Sequence, residues 1–347
     1  MPTPKTRSPR FLITRLSAIG DCILTMPVAA ELRRTYPDSL IVWVVQGAGA
    51  QLLVDHPDLD QVIKVPRGWL KSPRAIWKLR NQLRQYNFDY VIDPQSLTKS
   101  SAAGWLSGAS RRIGFSEPQG RELAPLLANH HVRRTADHVV DAYLQLLKPL
   151  GIHHPQVRFH VPRSAEAIKM VDTFLDQVQP GPEFIVINPG AGWDSKLWPA
   201  RRYGLLAREL GRQHGIHSIV AWAGDRERSW TAEIVEHSAG HAVAAPDTTL
   251  PQLAALLRRA SMFVGSDTGP LHLAAAVGTT CVSMYGPTRP SDCGPYGQQH
   301  IALQSYYQDG SARERRRAPN DAMRAIDVEQ VAEACGRVLG KKEHSAA

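Results

Sequence analysis

The segment from Ser261 to Gly278, SMFVGSDTGPLHLAAAVG, carries the residues best placed to do chemistry. It reads as a buried strand, a tight polar turn and a short helix. Ser266, Asp267 and Thr268 can each cap a helix, and Pro270 suits the first helical position, where its missing N–H costs nothing. The helix is therefore expected to start near Thr268. Its free N–H groups and positive dipole end then face whatever lies beyond the strand's carboxyl end, and Gly269 lets an anion approach the backbone. His272, four residues past Thr268, shares that helix face and can look back at the same anion. Gly278 closes the helix before the next apolar run, Thr279 to Tyr285. An ordinary strand-turn-helix of a parallel sheet makes the same pattern, so the rest of the chain must decide between the two.

A second segment with chemical potential is Arg15-Leu16-Ser17-Ala18-Ile19-Gly20-Asp21, which follows a buried strand, Phe11 to Thr14. A turn of this kind between strand and apolar helix is where a doubly wound sheet exposes functional groups. Its single glycine falls short of G-x-G-x-x-G, which disfavours a nicotinamide enzyme. Asp21 stands at the opening of the helix. It is either a working carboxylate at the mouth of the sheet or only a first-turn acid favoured by the dipole, a role worth a few tenths of a kcal/mol to about 1 kcal/mol. Pro27, inside the helical pattern, marks a new first turn or a kink.

The elements that must position these groups alternate between strand and helix. Strands are expected at Leu40 to Val45, Gln61 to Val65 and Tyr90 to Asp93, and a helix from Asp137 to Leu150 closes the first domain. A helix over Ala165 to Val178 leads to Pro180-Gly181-Pro182, and a second series begins with strands at Phe184 to Ile187, Ser218 to Trp222, Met262 to Gly265 and Cys281 to Met284. This βα alternation argues for an α/β protein with two Rossmann-like sheets. The expected division is a domain over 1–165, a linker over 166–182, a second domain over 183–318 and a C-terminal helix over 319–340. Asp327 and Gln330 form a capping-box pattern, and Val328, Val331, Ala332, Cys335, Val338 and Leu339 share one helix face, expected to pack back toward the first domain. Arg313 to Arg317 reads as a solvated loop and Lys341 to Ala347 as a tail.

At 347 residues the chain exceeds what one hydrophobic core supports, and its 43% apolar content is that of a globular protein. It has no run of 18 uncharged apolar residues, and its basic, proline-bearing start lacks a long apolar stretch. Neither a membrane-spanning helix nor a signal peptide is expected, and the cytoplasm is the expected compartment. Cys22, Cys281, Cys293 and Cys335 are far apart, which argues against a zinc site or disulfide framework. Residues 1–160 hold 21 Lys+Arg against 12 Asp+Glu, whereas 161–347 hold 20 of each. All of the excess charge thus lies in the first half. Its expected partner is anionic: nucleic acid, a membrane surface or a charged substrate. A merely soluble basic surface would look the same.

Ser266-Asp267-Thr268-Gly269-Pro270-Leu271-His272-Leu273-Ala274-Ala275-Ala276, followed by Tyr285-Gly286-Pro287-Thr288, resembles the donor-binding signature of glycosyltransferase family 9, the ADP-heptose:lipopolysaccharide heptosyltransferases. Arg15 to Asp21 resembles the family's first loop. Asn188-Pro189-Gly190-Ala191 with Lys196 and Trp198-Pro199 is similar to its donor-phosphate loop. Gly224-Asp225-Arg226-Glu227 is similar, more loosely, to the turn whose carboxylate meets the ribose. The resemblance implies a GT-B fold, two Rossmann-like domains facing across a cleft. It implies inverting transfer of heptose from ADP-heptose to a lipopolysaccharide inner-core acceptor, with Asp21 as general base and Lys196 stabilising the departing diphosphate. Gly190, Ala191, Lys196, Glu227, Asp267, Thr268, Gly269 and His272 would bind the donor. Arg15, Arg67, Lys71, Arg74, Lys99 and Arg121 would surround the acceptor.

No cofactor and no metal are expected, because the Asp-x-Asp pattern at Asp58 to Asp60 falls in a loop and a helix dipole with a lysine can replace the ion. The expected partners are the nucleotide sugar, an anionic glycolipid and the inner leaflet of the cytoplasmic membrane, met by a peripheral monomer. Two rival readings are another GT-B enzyme on a different nucleotide sugar, such as an epimerase, and a basic nucleic-acid-binding protein. The basic residues show no recognition-helix or RNP-like arrangement, so nucleic acid is not an expected partner. Gly190-Ala191-Gly192 departs from the threonine pair of the first-transfer enzymes, leaving the particular heptose transfer open. Arg15 stands where a lysine is often found, and the two cations differ in hydrogen-bonding geometry.

Overall fold

A computed structural model of the protein describes residues 7–346, and the chain divides into two compact units at Pro162/Arg163. The first six residues of the first expected domain, and Ala347 of the expected tail, lie outside the described residues.

In the first unit, β1 (Arg10–Thr14), β2 (Leu40–Val45), β3 (Gln61–Lys64), β4 (Tyr90–Asp93), β5 (Arg111–Phe115) and β6 (His130–Val132) form one parallel sheet in the order β3-β2-β1-β4-β5-β6. In the second, β7 (Phe184–Asn188), β8 (His217–Val220), β9 (Ala242–Ala244), β10 (Met262–Ser266), β11 (Cys281–Met284) and β12 (Ile301–Leu303) form another, in the order β12-β11-β10-β7-β8-β9. Read from opposite edges, both have the Rossmann strand order. Two copies of one architecture, as expected from the alternation, are present.

A parallel sheet is covered on both faces, so its inner strands are apolar throughout. Leu12 on β1 pairs with Val42 and Val91, and all three join the core beneath the helix Pro73–Arg84, whose Leu79 and Leu83 are buried. That helix starts where Ser72 accepts from the Ala75 N–H and Pro73 fills the first turn. Four strands escape the sequence reading: β5, β6, β9 and β12. β6, β9 and β12 have three residues each, and β5 and β6 open on Arg111-Arg112 and His130-His131, so no long apolar run announces them.

Other expectations change as well. Pro27 opens no new helix but lies inside Ile19–Thr35, which leaves the kink of the two expected alternatives. The segment expected as linker is mostly the helix Ala165–Val178, which belongs to the second unit. The Asp327/Gln330 capping box forms, with bonds of 3.0 and 2.8 Å. The helix it opens, Val328–Ala346, runs on through the expected tail. Its Val331, Ala334, Cys335 and Val338 are buried in the second unit's own core beside the helix Ala200–His214, so the apolar face read as a surface for the first domain is already covered. Arg313 to Arg317 is not a loop but a short helix, Ala312–Arg317, with a Ser311/Glu314 capping box.

In each unit the strand order reverses once, between β1 and β4 and between β7 and β10. Doubly wound sheets bind ligands just outside the carboxyl ends of the strands flanking this reversal. The segments leaving those four ends are 15–21, 94–99, 189–196 and 267–272, which include most of the residues singled out above.

Candidate active site

In the second unit, Asp267 follows β10 and is buried. Its carboxylate gathers four side chains. Lys196 Nζ lies 2.5 Å from Oδ2, the Thr288 hydroxyl donates to Oδ2 at 2.8 Å, the Cys293 thiol reaches it at 3.6 Å, and His272 Nε2 lies 3.2 Å from Oδ1. Burial alone would raise the Asp267 pKa. The His272 hydrogen bond and the Lys196 charge outweigh it and hold the carboxyl well below the usual range.

Thr268 is the N-cap of the helix Gly269–Ala276, yet its side chain makes no capping bond, leaving first-turn N–H groups for another acceptor. His272 Nδ1 is buried without a protein partner. The site therefore offers a lysine, an imidazole nitrogen and an uncapped helix start, a combination suited to an anion.

Lys196 ends the 3-10 turn Asp194–Lys196 beyond β7, and its Nζ sits 4.3 Å from the centre of the Trp193 ring. On the same loop, a Cβ on Gly190 would fall 2.1 Å from Glu227 Oε1, so only glycine lets that carboxylate lie against the loop. Burial raises the Glu227 pKa, opposed by bonds from the Ala223 N–H and Asn188. Ala191 lies on this loop next to Gly190.

In the first unit, Asp21 is the third residue of the helix Ile19–Thr35. Its Oδ1 pairs with Arg15 Nη2 at 2.5 Å and its Oδ2 accepts from the Ala18 N–H at 3.0 Å. Arg15 is buried beside Tyr143, with its ring centre 5.2 Å away, and donates to the Pro94 carbonyl at 3.1 Å. Burial lowers its pKa, but the Asp21 charge and hydrogen bond together with Tyr143 and Cys22 outweigh this, and the guanidinium is held further above its ordinary value. Lys99 Nζ donates to Ser17 in the same loop at 2.9 Å. Its pKa is lowered, by burial first and then by the Arg15 charge.

Arg67, Lys71 and Arg74 are exposed just past the carboxyl end of β3, and Arg121 is exposed beside Ser96, whose carbonyl accepts its N–H at 3.1 Å. Of the six cations expected at the acceptor, Arg15 has a different position: its guanidinium is committed to Asp21, Pro94 and Tyr143, which makes it a positioning group for Asp21. Thr288, Trp193 and Tyr143 were not singled out as site residues. Thr288 lies within the Tyr285–Thr288 motif and Trp193 three residues before Lys196, but only the fold shows what they touch.

The architecture is shared with solved structures. A family 9 glycosyltransferase from Veillonella parvula superposes with a TM-score of 0.86 over 97% of this chain and 99% of that one, at 24% identity. The Escherichia coli heptosyltransferase WaaC, solved with ADP-2-deoxy-2-fluoro heptose, matches with a TM-score of 0.73 at 26% identity, covering 94% of this chain and 99% of that one. Fold and site thus define an α/β enzyme of the GT-B class. Residues 76–322 match the model of glycosyltransferase family 9 (heptosyltransferase). Lipopolysaccharide heptosyltransferase 1 of Pseudomonas aeruginosa is 30% identical over 85% of this chain and 84% of its own. The chain belongs to glycosyltransferase family 9, and the protein is a glycosyltransferase.

Proposed function

We propose that this enzyme moves a heptosyl group from ADP-heptose to a lipopolysaccharide inner-core acceptor, inverting the anomeric carbon. The observation that carries the reading is the cluster of Lys196, Asp267 and His272 at an uncapped helix start on the second sheet's strand reversal. The named activity of the Pseudomonas relative and the ADP-linked ligand of the Escherichia structure support it.

In this reading the acceptor oxygen forms the new bond to the anomeric carbon as the bond to the diphosphate breaks. Asp21 takes the acceptor's proton. Arg15 and the Ala18 N–H occupy one position on each of its oxygens, which aims the carboxylate while leaving lone pairs for the proton. Lys196 and the first-turn N–H of Gly269 stabilise the ADP that leaves, with His272 lining the same site. Glu227 and the Gly190-Ala191 loop bind the nucleotide side of the donor. Lys99, Arg67, Lys71, Arg74 and Arg121 meet the carboxylates and phosphates of the acceptor, which is presented at the inner leaflet. Among the described residues, no helix is long and apolar enough to cross a membrane.

We further propose that transfer needs no metal ion. The Asp-x-Asp pattern lies before β3, where Asp58 Oδ2 is 2.7 Å from His160 and Asp60 pairs with Arg33 at 2.7 Å. Both carboxylates thus have structural partners. A thermal-shift series with ADP, UDP, GDP and CMP should give its largest stabilisation with ADP. Transfer should survive EDTA; loss that Mg²⁺ restores would end the metal-independent reading, and a UDP preference would reassign the donor.

A further inference from the structure

The charges of the donor cluster nearly cancel: Asp267 sits at hydrogen-bond distance from Lys196, so the pair presents little net charge to an incoming diphosphate. The uncapped helix start compensates part of a bound diphosphate's charge, and a further cation would compensate more of it. The second unit supplies one from an unexpected element. The helix Ala312–Arg317 packs on the 3-10 turn that bears Lys196. Arg316 places its Cζ 4.8 Å from the centre of the Trp193 ring, the ring that Lys196 Nζ approaches at 4.3 Å. The two cations therefore lie within roughly 9 Å of each other, both within cation–π range of one indole.

The helix is tied to the same site from its other side. Arg315 donates to the Pro287 carbonyl at 2.6 Å, one residue before Thr288, whose hydroxyl holds Asp267. Arg315 is thus structural, whereas Arg316 is exposed and has its guanidinium on the indole.

Resting on the donor reading above, we propose that Arg316 is a further diphosphate-binding residue, using Trp193 as its platform and supplying the positive charge that Asp267 withdraws from Lys196. Trp193 then acts as a positioning residue for both cations. An added charge-assisted contact to the second phosphate should make the enzyme prefer ADP over AMP more strongly than the Lys196 cluster alone allows.

The test is isothermal titration of wild type, Arg316→Gln and Arg316→Lys with ADP, AMP and inorganic pyrophosphate at two salt concentrations. The expected result is that Arg316→Gln lowers the ADP-over-AMP affinity ratio by about tenfold and weakens the salt dependence of ADP binding. Arg316→Lys should recover part of both. An unchanged ratio in Arg316→Gln overturns the proposal, even if its melting temperature falls, since that would make the helix a packing element only. Should wild type ignore ADP yet bind pyrophosphate through Arg316, the cation site stands and the nucleotide reading fails.

Discussion

Each unit places one cation–carboxylate pair in the loops at its strand reversal, and the two pairs are built in opposite senses. In the first unit the cation is sealed and the acid is open: Arg15 is 7% exposed and Asp21 41%. In the second the acid is the buried anchor, with Asp267 7% exposed, four side chains on it, and Lys196 somewhat more open at 12%. The more exposed partner of the pair differs, and so does the chemistry each loop can perform. An open carboxylate steadied by a buried guanidinium can accept a proton. A lysine steadied by a buried carboxylate can meet an anion without collapsing onto another group.

That contrast predicts the order of mutational effects. The largest belongs to Asp21: Asp21→Ala should lower kcat by about 100- to 10,000-fold with donor KM little changed, and near-normal turnover would remove Asp21 from the chemistry. Next comes Lys196→Ala, expected to cost about 100- to 1,000-fold in kcat/KM with weaker ADP binding. A purely structural Lys196 would instead change stability and leave ADP affinity intact.

Asp267→Asn attacks the anchor, leaving Lys196 without its buried counter-charge, at a cost of about 3–5 kcal/mol in folding stability. Because Asp267 is held below its ordinary pKa, its contribution is present above about pH 4 and is lost as the pH falls further. Chemical denaturation should therefore show the gap between wild type and Asp267→Asn narrowing below about pH 4; a gap constant with pH would mean that the ion pair is not its source. The smallest effect is expected from Arg15→Lys, which keeps the charge and loses the fork that reaches both Asp21 and Pro94. About a tenfold fall in kcat is expected. If the Arg15→Lys variant retains full activity, the orientation of Asp21 does not depend on the guanidinium.

Much of this fold is legible in the amino-acid sequence. Strands with unbroken apolar runs, such as β2 and β10, were recognised almost to the residue, because a strand covered on both faces has no polar side to blur it. Glycines and prolines located the turn at Thr268 and the end of its helix near Gly278, where φ is +93°. The outer strands were not legible: β9 and β12 have three residues each, and nothing local distinguishes such a stretch from a loop until a neighbouring strand pairs with it. The helical state of Arg313 to Arg317 is hidden for a related reason. Four arginines in five residues suggest solvent, and only the capping box and the Trp193 ring show where they are held.

Residue order alone determined that this is a twice-repeated βα protein, with a polar turn ready for an anion at Ser266 to His272 and an acid at the first loop, because periodicity and turn chemistry are local properties. Which groups touch is not local. Lys196 and Asp267 are 71 positions apart in the chain and 2.5 Å apart in space. Arg15 had the composition of a substrate-binding cation until its burial against Pro94 and Tyr143 made it a support for Asp21. The tertiary structure decided which partner of each ion pair is the more exposed, since the depth of a side chain depends on every element packed around it.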